Sequence, residues 1–412
     1  MIKKIWKKKG NNKVISNYMY LLLIQGTNFI LPLITFPYLV RTLELEKYGV
    51  VMMASSLVVF INIFVDFGFN ISATREVSLI RKDKKKLSAF YWNVFYTKLI
   101  LLLISFVVLY LITLTIPKLQ SEQLVYLLSF GVVIGQNLFP TWFFQGIEKM
   151  KVITLINVLA KIIFTITIFV FIKSPSQYIY VPVLNSLGFL IAGFLGFIIS
   201  LKYIHYIKPK RKVMKGFIGD NKSLIISNFA TSIYTSGNTF ILGLIGGEDI
   251  AGVYSSMEKL VMATKTIYTP LYQAIFPWLT TKPKQKIIQF IEFIKKPIAL
   301  SGMLIFIFIF VFADFILDLV FKNEIITSYS NVFRILGLIA FFASLNMVYV
   351  SLMFPALKKY NYRMFPVVAG GIINLIFAII GAYLFGIYGV AVAVVLAEFS
   401  ILLIAHYYYL KT

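Results

Sequence analysis

Hydrophobic and polar positions form long alternating blocks along this chain. Runs of about 20 mainly apolar residues recur throughout, and a helix of that length crosses the hydrocarbon core of a bilayer. The pattern predicts an all-α integral membrane protein with twelve transmembrane helices. The predicted spans are Tyr18–Leu39, Tyr48–Phe67, Tyr91–Leu114, Leu124–Phe144, Val152–Ile172, Tyr180–Leu201, Ser223–Ile245, Ala251–Phe276, Ile298–Val320, Val332–Phe354, Phe365–Phe385 and Ile387–Tyr409.

The composition agrees with this pattern and leaves little material for a soluble domain. Of the 412 residues 59% are hydrophobic and 14% are charged, whereas soluble domains carry roughly 25% charged residues. The longest stretches between spans are Gly68–Phe90, Lys202–Lys222 and Pro277–Pro297, and all three are basic. The chain has no cysteine, which excludes disulfides and thiolate metal sites.

A net charge of +24 is compatible with nucleic-acid binding, but the distribution of the charges along the chain indicates another cause. With the N-terminus inside, predicted cytoplasmic segments hold 30 of the 40 lysines and arginines, and outer segments hold five. This asymmetry follows the positive-inside rule and predicts that both termini are cytoplasmic. We therefore expect contact with anionic membrane lipids and no nucleic acid partner.

The two halves of the chain resemble each other. The stretch Ser16–Leu33 aligns without a gap on Ser227–Leu244, and Tyr48–Val58 aligns on Ala251–Val261. The alignment pairs the first two predicted helices with the seventh and eighth, so both halves have the same orientation, as in transporters built from parallel repeats. It predicts two parallel-related six-helix bundles, an arrangement found in transporters that rock two halves about a central site. The predicted domains are a basic cytoplasmic N-terminus (1–17), an N-terminal bundle (18–201), a basic cytoplasmic linker (202–222) and a C-terminal bundle (223–412).

Four stretches resemble a known family over nearly the whole chain. They are "LPLITFPYLVRTLELEKYGVV" from Leu31, "VDFGFNISATREVSLIRKDKKKL" from Val65, "PTWFFQGIEKMKVITLINVLAK" from Pro140 and "GVYSSMEKL" from Gly252. The chain is similar to the Wzx-type flippases of lipid-linked oligosaccharides, in the polysaccharide branch of the MATE-like exporter superfamily. It departs from the commoner family pattern at Met257, where alanine is usual.

The resemblance implies a MATE-like fold and a function. The family moves undecaprenyl-diphosphate-linked repeat units, such as O-antigen units, from the inner to the outer leaflet of the bacterial cytoplasmic membrane. The polymerase and other glycan assembly proteins are then candidate partners. No cofactor is expected, although coupling to Na⁺ or H⁺ is one interpretation.

Five cations fall inside the predicted spans, where a charge usually faces a bundle interior or a wet cavity. Lys98 and Arg334 lie near helix ends, so their side chains have the alternative of snorkelling to the interface. Lys161 lies deeper, on a polar stripe with Asn157, for which a hydrogen-bonded seam between helices is the alternative. The remaining two, Lys259 and Lys265, share the eighth predicted helix.

The eighth predicted helix carries the strongest candidate site. Glu258 and Lys265 lie seven residues apart on one face, with Lys259 at its flank. Two cations against one acid leave a positive wall that suits a diphosphate; the alternative is a structural ion pair of Glu258 with another helix. The repeat places Ser55 and Ser56 opposite Glu258 and Lys259, so the two-fold scaffold itself does not require these charges.

Other charged residues have candidate roles beside this wall. Glu398 lies in mid-membrane and requires either protonation or a basic partner, and we treat it as the candidate for ion coupling. Asp66 and Arg75 flank the inner end of the second predicted helix. They either tether the loop there or contact the substrate. Arg41, at the outer end of the first predicted helix, either closes an outer gate or anchors the helix at the membrane interface. The acids Asp314 and Asp318 are expected to be solvated.

Sugars require a polar, aromatic-rich wall, but packing or a seam is the simpler explanation for any one of the candidates. These are Asn28, Asn62, Asn137, Trp142, Asn185, Asn238, Asn346 and Asn374.

Three other functions compete with a flippase. An exporter of small amphipathic compounds would share the fold. A membrane enzyme of the same pathway is disfavoured because the sequence has no Asp-x-Asp metal pair and no phosphate-binding glycine loop. A passive channel or scaffold would need neither the repeat nor an excess of intramembrane cations. The sequence therefore favours a transporter with diphosphate-facing cations.

Overall fold

The computed structural model describes residues 11–280 and 282–412, and these are almost entirely helical, without a β-strand among them. A 3₁₀ turn, Pro175–Gln177, precedes α8, and a π-helix, Met347–Met353, separates α14 from α15. Of the predicted N-terminus, residues 1–10 lie outside the described residues. The α-helices are α1 (Asn11–Asp66), α2 (Phe69–Ile80), α3 (Lys84–Thr115), α4 (Pro117–Gln120), α5 (Gln123–Leu138), α6 (Thr141–Gly146), α7 (Met150–Phe171), α8 (Tyr180–Leu201), α9 (Arg211–Gly246), α10 (Glu248–Thr266), α11 (Tyr268–Leu279), α12 (Lys284–Phe321), α13 (Glu324–Ser328), α14 (Ser330–Asn346), α15 (Phe354–Ala356) and α16 (Tyr360–Leu410).

The helices are those of a multi-pass membrane protein. Within the described residues, eight helical segments are long and apolar enough to cross a bilayer. The region of α9, α10 and α11 is not among the eight, and the mean hydropathy of α10 is lowered by its charged residues. The all-α membrane fold is confirmed, whereas the count of twelve spans stays a prediction.

Several predicted loops are helical. The first and second predicted spans form one element, α1, which is interrupted only at Glu44 (φ 63°, ψ 165°). The last two spans form α16, which is interrupted at Gly386 (φ 57°, ψ −133°). The basic stretch after the second span contains α2. Hydropathy marks where a chain leaves the apolar region, and a helix can continue beyond that point.

The chain forms two compact units. The first, unit 1, comprises the described residues up to 35 together with 61–172 and 179–225. Its core is aromatic, with Tyr91, Trp142 and Phe143 packed together. The second, unit 2, comprises 36–60, 173–178 and 226–412. Its core includes Leu279, Ile291 and Phe354. The predicted bundles, 18–201 and 223–412, stay a prediction.

Backbone geometry supports the alignment of the two halves. The alignment has an offset of 203 residues here, which pairs Glu44 with Gly247. Both residues adopt the same rare conformation, with φ 63° and ψ 165° at Glu44 and φ 104° and ψ 163° at Gly247. Only glycine occupies this region without strain. The equivalent breaks therefore belong to the repeated scaffold, and Glu44 takes its conformation at a cost.

Two further turns share one geometry. Glu148 and Lys358 both have left-handed backbones, with φ 61° and φ 58°. In each turn the following amide donates to a carbonyl five residues back, Lys149 to Phe144 and Lys359 to Phe354, both at 2.8 Å. Both helices therefore end in a Schellman motif.

Two equivalent glycines let the repeated elements approach closely within unit 2. A Cβ atom on Gly49 would lie 1.8 Å from the carbonyl oxygen of Glu248, and one on Gly252 would lie 2.5 Å from the carbonyl oxygen of Leu45. The 203-residue offset pairs Gly49 with Gly252 and Leu45 with Glu248. The contact is therefore reciprocal, as expected around a local two-fold axis.

We expect Gly252→Ala to destabilise the protein by about 1–3 kcal/mol, because the new methyl group overpacks a backbone contact. The measurement is thermal unfolding of the purified protein. Gly216→Ala is the matched control, since its Cβ would meet nothing within 4 Å and alanine favours a helix. Equal unfolding temperatures for the two variants would contradict the close approach.

Candidate functional site

Among the cavities of the described residues, one in each unit includes a pair of a lysine and an acid. In unit 2 the cavity has a volume of about 700 Å³ and contains Lys265 and Glu398. In unit 1 the cavity has a volume of about 580 Å³ and contains Lys98 and Asp66. The two cavities are described in turn.

In the unit 2 cavity, three side chains form a connected polar group. The Lys265 Nζ lies 2.5 Å from Glu398 Oε1. The other carboxylate oxygen, Oε2, accepts a hydrogen bond from Asn346 Nδ2 at 2.7 Å. The side chain of Glu398 is 2% exposed and that of Lys265 is 29% exposed. The ammonium group is therefore the part of this group that solvent or a ligand reaches.

The positions of these residues follow from three helices. Lys265 lies in the last turn of α10, where a cation interacts favourably with the helix dipole. Asn346 is the last residue of α14 before the π-helix, a distortion that frequently accompanies functional sites. Its amide also donates to the Glu398 backbone carbonyl at 2.9 Å, which fastens α14 to α16.

Of the two alternatives for Glu398, protonation or a basic partner, the structure has the basic partner, which is Lys265. The rest of the cavity wall is largely apolar, with Met347, Val350 and Ile401 among its lining residues. An apolar wall with a few convergent polar groups is typical of ligand sites.

In the unit 1 cavity, an ion pair lies beside several amides. Lys98 Nζ is 3.3 Å from Asp66 Oδ1, and the two side chains are 6% and 10% exposed. Asn137 Nδ2 donates to Asn62 Oδ1 at 2.8 Å. These groups come from α1, α3 and α5, so the cavity is built by helices distant in sequence.

The repeat relates the two cavities. Extending the ungapped alignment at its offset of 203 residues pairs Asn62 with Lys265 and Asp66 with Thr269. All four residues line their respective cavities. One scaffold position thus carries an amide in unit 1 and a cation in unit 2, so the cavities share an origin and differ in chemistry.

The snorkelling interpretation of Lys98 is wrong. Its side chain is buried within the protein, where the Asp66 carboxylate at the end of α1 is its counter-ion. At the membrane interface, water would have to stabilise the charge instead. The ion pair also neutralises the positive charge of Lys98, which we had counted among the candidate cations for binding a diphosphate. Asp66 is accordingly the partner of Lys98, and it also accepts a 3.4 Å hydrogen bond from the Asn70 backbone amide.

We expect Lys98→Met to lower the free energy of unfolding by about 3 kcal/mol, because it leaves the Asp66 carboxylate buried without a partner. The double variant Asp66→Asn, Lys98→Met removes both charges and should recover most of that loss. Thermal unfolding of the purified proteins measures both values. A double variant no more stable than the single one would show that the pair is unimportant.

Glu258 shares a face of α10 with Lys265, seven residues further along the same helix, but it does not line the unit 2 cavity. It is 5% exposed, and Oε2 accepts a hydrogen bond from Thr239 Oγ1 at 3.0 Å. Among residues 11–280 and 282–412, Glu258 forms no ion pair, so the proposed interhelical ion pair of Glu258 stays a prediction.

Lys259 and Lys161 are cations without an acidic partner among the described residues. Lys259 is exposed, and its Nζ lies 5.5 Å from the centroid of the Phe36 ring, within cation–π range. Lys161 is half-buried on α7. One turn away, Asn157 lines the unit 1 cavity and donates to its own helix at Ile153.

The two candidate arginines bind to the protein itself. Arg334 contacts Asp314, Ser330, Asn331 and the Phe310 carbonyl through all three nitrogens. It thus fastens α14 to α12, and Asp314 is ion-paired instead of only solvated.

Arg41 donates from Nε to the Phe321 carbonyl at 3.0 Å and also binds the Val320 carbonyl. It therefore satisfies the C-terminal carbonyls of α12, as a cation at a helix end does.

The remaining sequence candidates lie outside the two cavities or in cores. Arg75 is exposed on α2. Trp142 is a core residue, and Asn238 and Asn374 are fully buried. Asn28 is exposed and Asn185 is half-buried, and neither lines a described cavity. Sequence reasoning missed Asn70 and Thr141, which line the unit 1 cavity; the only available signal was their place within the family-like stretches.

Comparison with known proteins identifies the family. Residues 14–281 match the model of the family "Polysaccharide biosynthesis protein". The chain is 30% identical over 267 residues to the "Putative O-antigen transporter" of Escherichia coli (strain K12), a match that spans 64% of each chain. It is 28% identical over 268 residues to the protein of the same name from Shigella dysenteriae, with coverage of 64% of this chain and 67% of that one.

Solved structures establish the fold. An inward-facing MATE family multidrug resistance transporter of the MOP superfamily superposes with a TM-score of 0.66 at 16% identity, over 92% of this chain and 93% of that one. The MATE multidrug transporter DinF-BH gives 0.65 at 17% identity, over 97% and 94% of the two chains. The chain has a MATE-like fold and belongs to the polysaccharide biosynthesis protein family, as its sequence resemblance predicted.

Proposed function

We propose that the protein is a secondary transporter that moves undecaprenyl-diphosphate-linked oligosaccharide repeat units from the inner to the outer leaflet of the bacterial cytoplasmic membrane. The observation that carries the proposal is Lys265, whose ammonium group lies at the accessible side of a cavity and pairs with the buried Glu398. Family membership and relatives named as O-antigen transporters supply the class of cargo.

The proposed role of Lys265 follows from the chemistry of the cargo. A diphosphate with about two negative charges cannot cross hydrocarbon without partners for its oxygens. A lysine ammonium group offers charge-assisted hydrogen bonds to phosphate. Phosphate oxygens would compete with Glu398 for Lys265, so substrate binding and the state of the carboxylate are linked. Lys161 and Lys259 would add positive charge, while the polyprenyl chain stays in lipid.

Transport is proposed to occur by alternating access between the two repeat-related bundles, with both termini in the cytoplasm. The parallel repeat and its equivalent breaks at Glu44 and Gly247 support this mechanism. The protein acts on its cargo without changing its covalent structure, so it is a carrier instead of an enzyme. Glycan polymerases and other assembly proteins would act on the same lipid-linked units.

The decisive experiment reconstitutes the purified protein in liposomes with a fluorescent polyprenyl-diphosphate oligosaccharide. We expect protein-dependent appearance of the label in the opposite leaflet, measured by quenching with a membrane-impermeant reductant. Empty liposomes and liposomes with denatured protein are the controls. Absence of protein-dependent movement across several glycans would overturn the proposal.

An exporter of small amphipathic compounds is the second candidate, because the fold is shared with multidrug transporters. Cationic drugs fit poorly beside Lys161 and Lys259, which lack acidic partners among the described residues. The same liposomes discriminate the two functions: efflux of amphipathic dyes without movement of the lipid-linked sugar would favour the exporter.

A further inference from the structure

The unit 1 cavity has the polarity of a ligand site, and the proposed diphosphate chemistry does not explain it. Its side chains include the ion pair Lys98–Asp66 and the amides Asn62, Asn137 and Asn157. In the equivalent cavity of unit 2 the lining is mostly apolar. A concentration of amides in one of two related cavities requires its own explanation.

The charges of this cavity do not favour an ion as its ligand. Lys98 and Asp66 are 3.3 Å apart, so together they present no net charge. A dianion attracted by Lys98 would be repelled by the adjacent Asp66, and a metal cation attracted by Asp66 would be repelled by Lys98, so neither gains a net Coulomb attraction. A neutral polar ligand is left as the matching class.

The amides carry hydrogen-bonding atoms that the protein does not use. Asn62 accepts through Oδ1 from Asn137, and within residues 11–280 and 282–412 no bond uses its Nδ2. Asn157 donates through Nδ2 to the Ile153 carbonyl, and its Oδ1 has no partner in the same ranges. The cavity therefore offers both donors and acceptors. Hydroxyl groups, which donate and accept at once, complement such a set.

The cavity also has apolar surface beside its amides. Phe139 and Phe189 line it together with Ala192. A sugar ring has hydroxyl groups at its edge and C–H groups on its faces, so it can bond to amides and pack against phenyl rings together. Ligand sites generally combine these two kinds of surface.

We propose that the unit 1 cavity is a saccharide-binding site that takes one neutral sugar of the lipid-linked oligosaccharide. The identity of the cargo rests on the proposed function. The class of ligand, a neutral sugar, rests on the geometry of unit 1 alone. The repeat-related positions Asn62 and Lys265 have accordingly specialised, the amide for hydroxyl groups and the ammonium for phosphate.

The test measures binding of a soluble sugar, which does not depend on transport. The probe is the oligosaccharide released by mild acid from the lipid-linked repeat unit of the source strain, used in equilibrium dialysis with the full-length purified protein. We expect saturable binding that Asn62→Leu and Asn157→Leu each weaken about five- to tenfold, the effect of losing one or two hydrogen bonds. Asn185→Leu, on α8 of the same unit and outside the cavity, should bind like the wild type.

Three results would overturn the assignment. They are absence of saturable binding to the wild type, equal affinities in all four proteins, and loss of pyrophosphate binding in the cavity variants while oligosaccharide binding persists. Circular dichroism and gel filtration establish that each variant is folded. If the oligosaccharide binds as expected while the liposomes flip no lipid, the saccharide site stands and the proposed transport fails.

Discussion

Lys265→Ala is expected to reduce the rate of lipid-linked oligosaccharide flipping by about 10- to 100-fold. The estimate corresponds to one lost charge-assisted hydrogen bond in a partly buried site, worth about 1.5–3 kcal/mol. The reason is geometric: Lys265 is the accessible cation of the unit 2 cavity, whereas Lys98 and Arg334 bind acids of the protein itself. The liposome assay measures the rate directly.

The loss must be separated from instability, because removing Lys265 leaves Glu398 buried without its counter-ion. The double variant Lys265→Gln, Glu398→Gln removes both charges and keeps the size and hydrogen-bonding capacity of the side chains. We expect it to be as abundant as the wild type and as inactive as Lys265→Ala. Recovery of flipping in this double variant would show that Lys265 serves only to neutralise Glu398.

Glu398→Gln is expected to abolish the response of flipping to an imposed proton or sodium gradient. In the wild type a proton or cation on Glu398 would release Lys265, whereas glutamine cannot change its charge. Asn346 can still contact the glutamine, so the site should keep its shape. The assay is flipping in liposomes with gradients of either sign; an unchanged gradient response would show that Glu398 does not couple.

Membrane potential is the control for this experiment, because it drives an anionic cargo without any coupling ion. Moving one elementary charge through 100 mV changes the free energy by roughly 2.3 kcal/mol, and the diphosphate carries about two charges. An inside-negative potential should therefore accelerate outward flipping in the wild type and in Glu398→Gln alike. A potential response lost together with the gradient response would indicate general inactivation of the variant.

Several features of the fold were predictable because they depend on local patterns of residues. Blocks of apolar residues indicated membrane helices, and the likeness of Tyr48–Val58 to Ala251–Val261 indicated the repeat. The helix limits were less predictable. A helix that leaves the apolar region, as α2 and the start of α12 do, loses its hydropathy signal without losing its hydrogen bonds.

The site was predicted in part. Helical spacing singled out Lys265, whose role as a site residue stays a prediction. The need to compensate a charge in the membrane left two alternatives for Glu398, protonation or a basic partner, and the structure has the partner. The same reasoning left Lys98 to the interface, and that interpretation was wrong. The missing information was its partner, Asp66, which is contributed by another helix. For Glu258 the sequence likewise gave no sign of Thr239, which donates a hydrogen bond to its carboxylate.

The sequence by itself determined that this protein is a helical membrane protein, that its halves are repeated and to which family it belongs, because apolar length and residue identity are properties of the chain read in order. Only the tertiary structure decided which charges are paired and where the cavities lie. Lys265 pairs with Glu398, which lies 133 positions further along the chain. Such a pairing is set by how helices pack, and no local pattern encodes it.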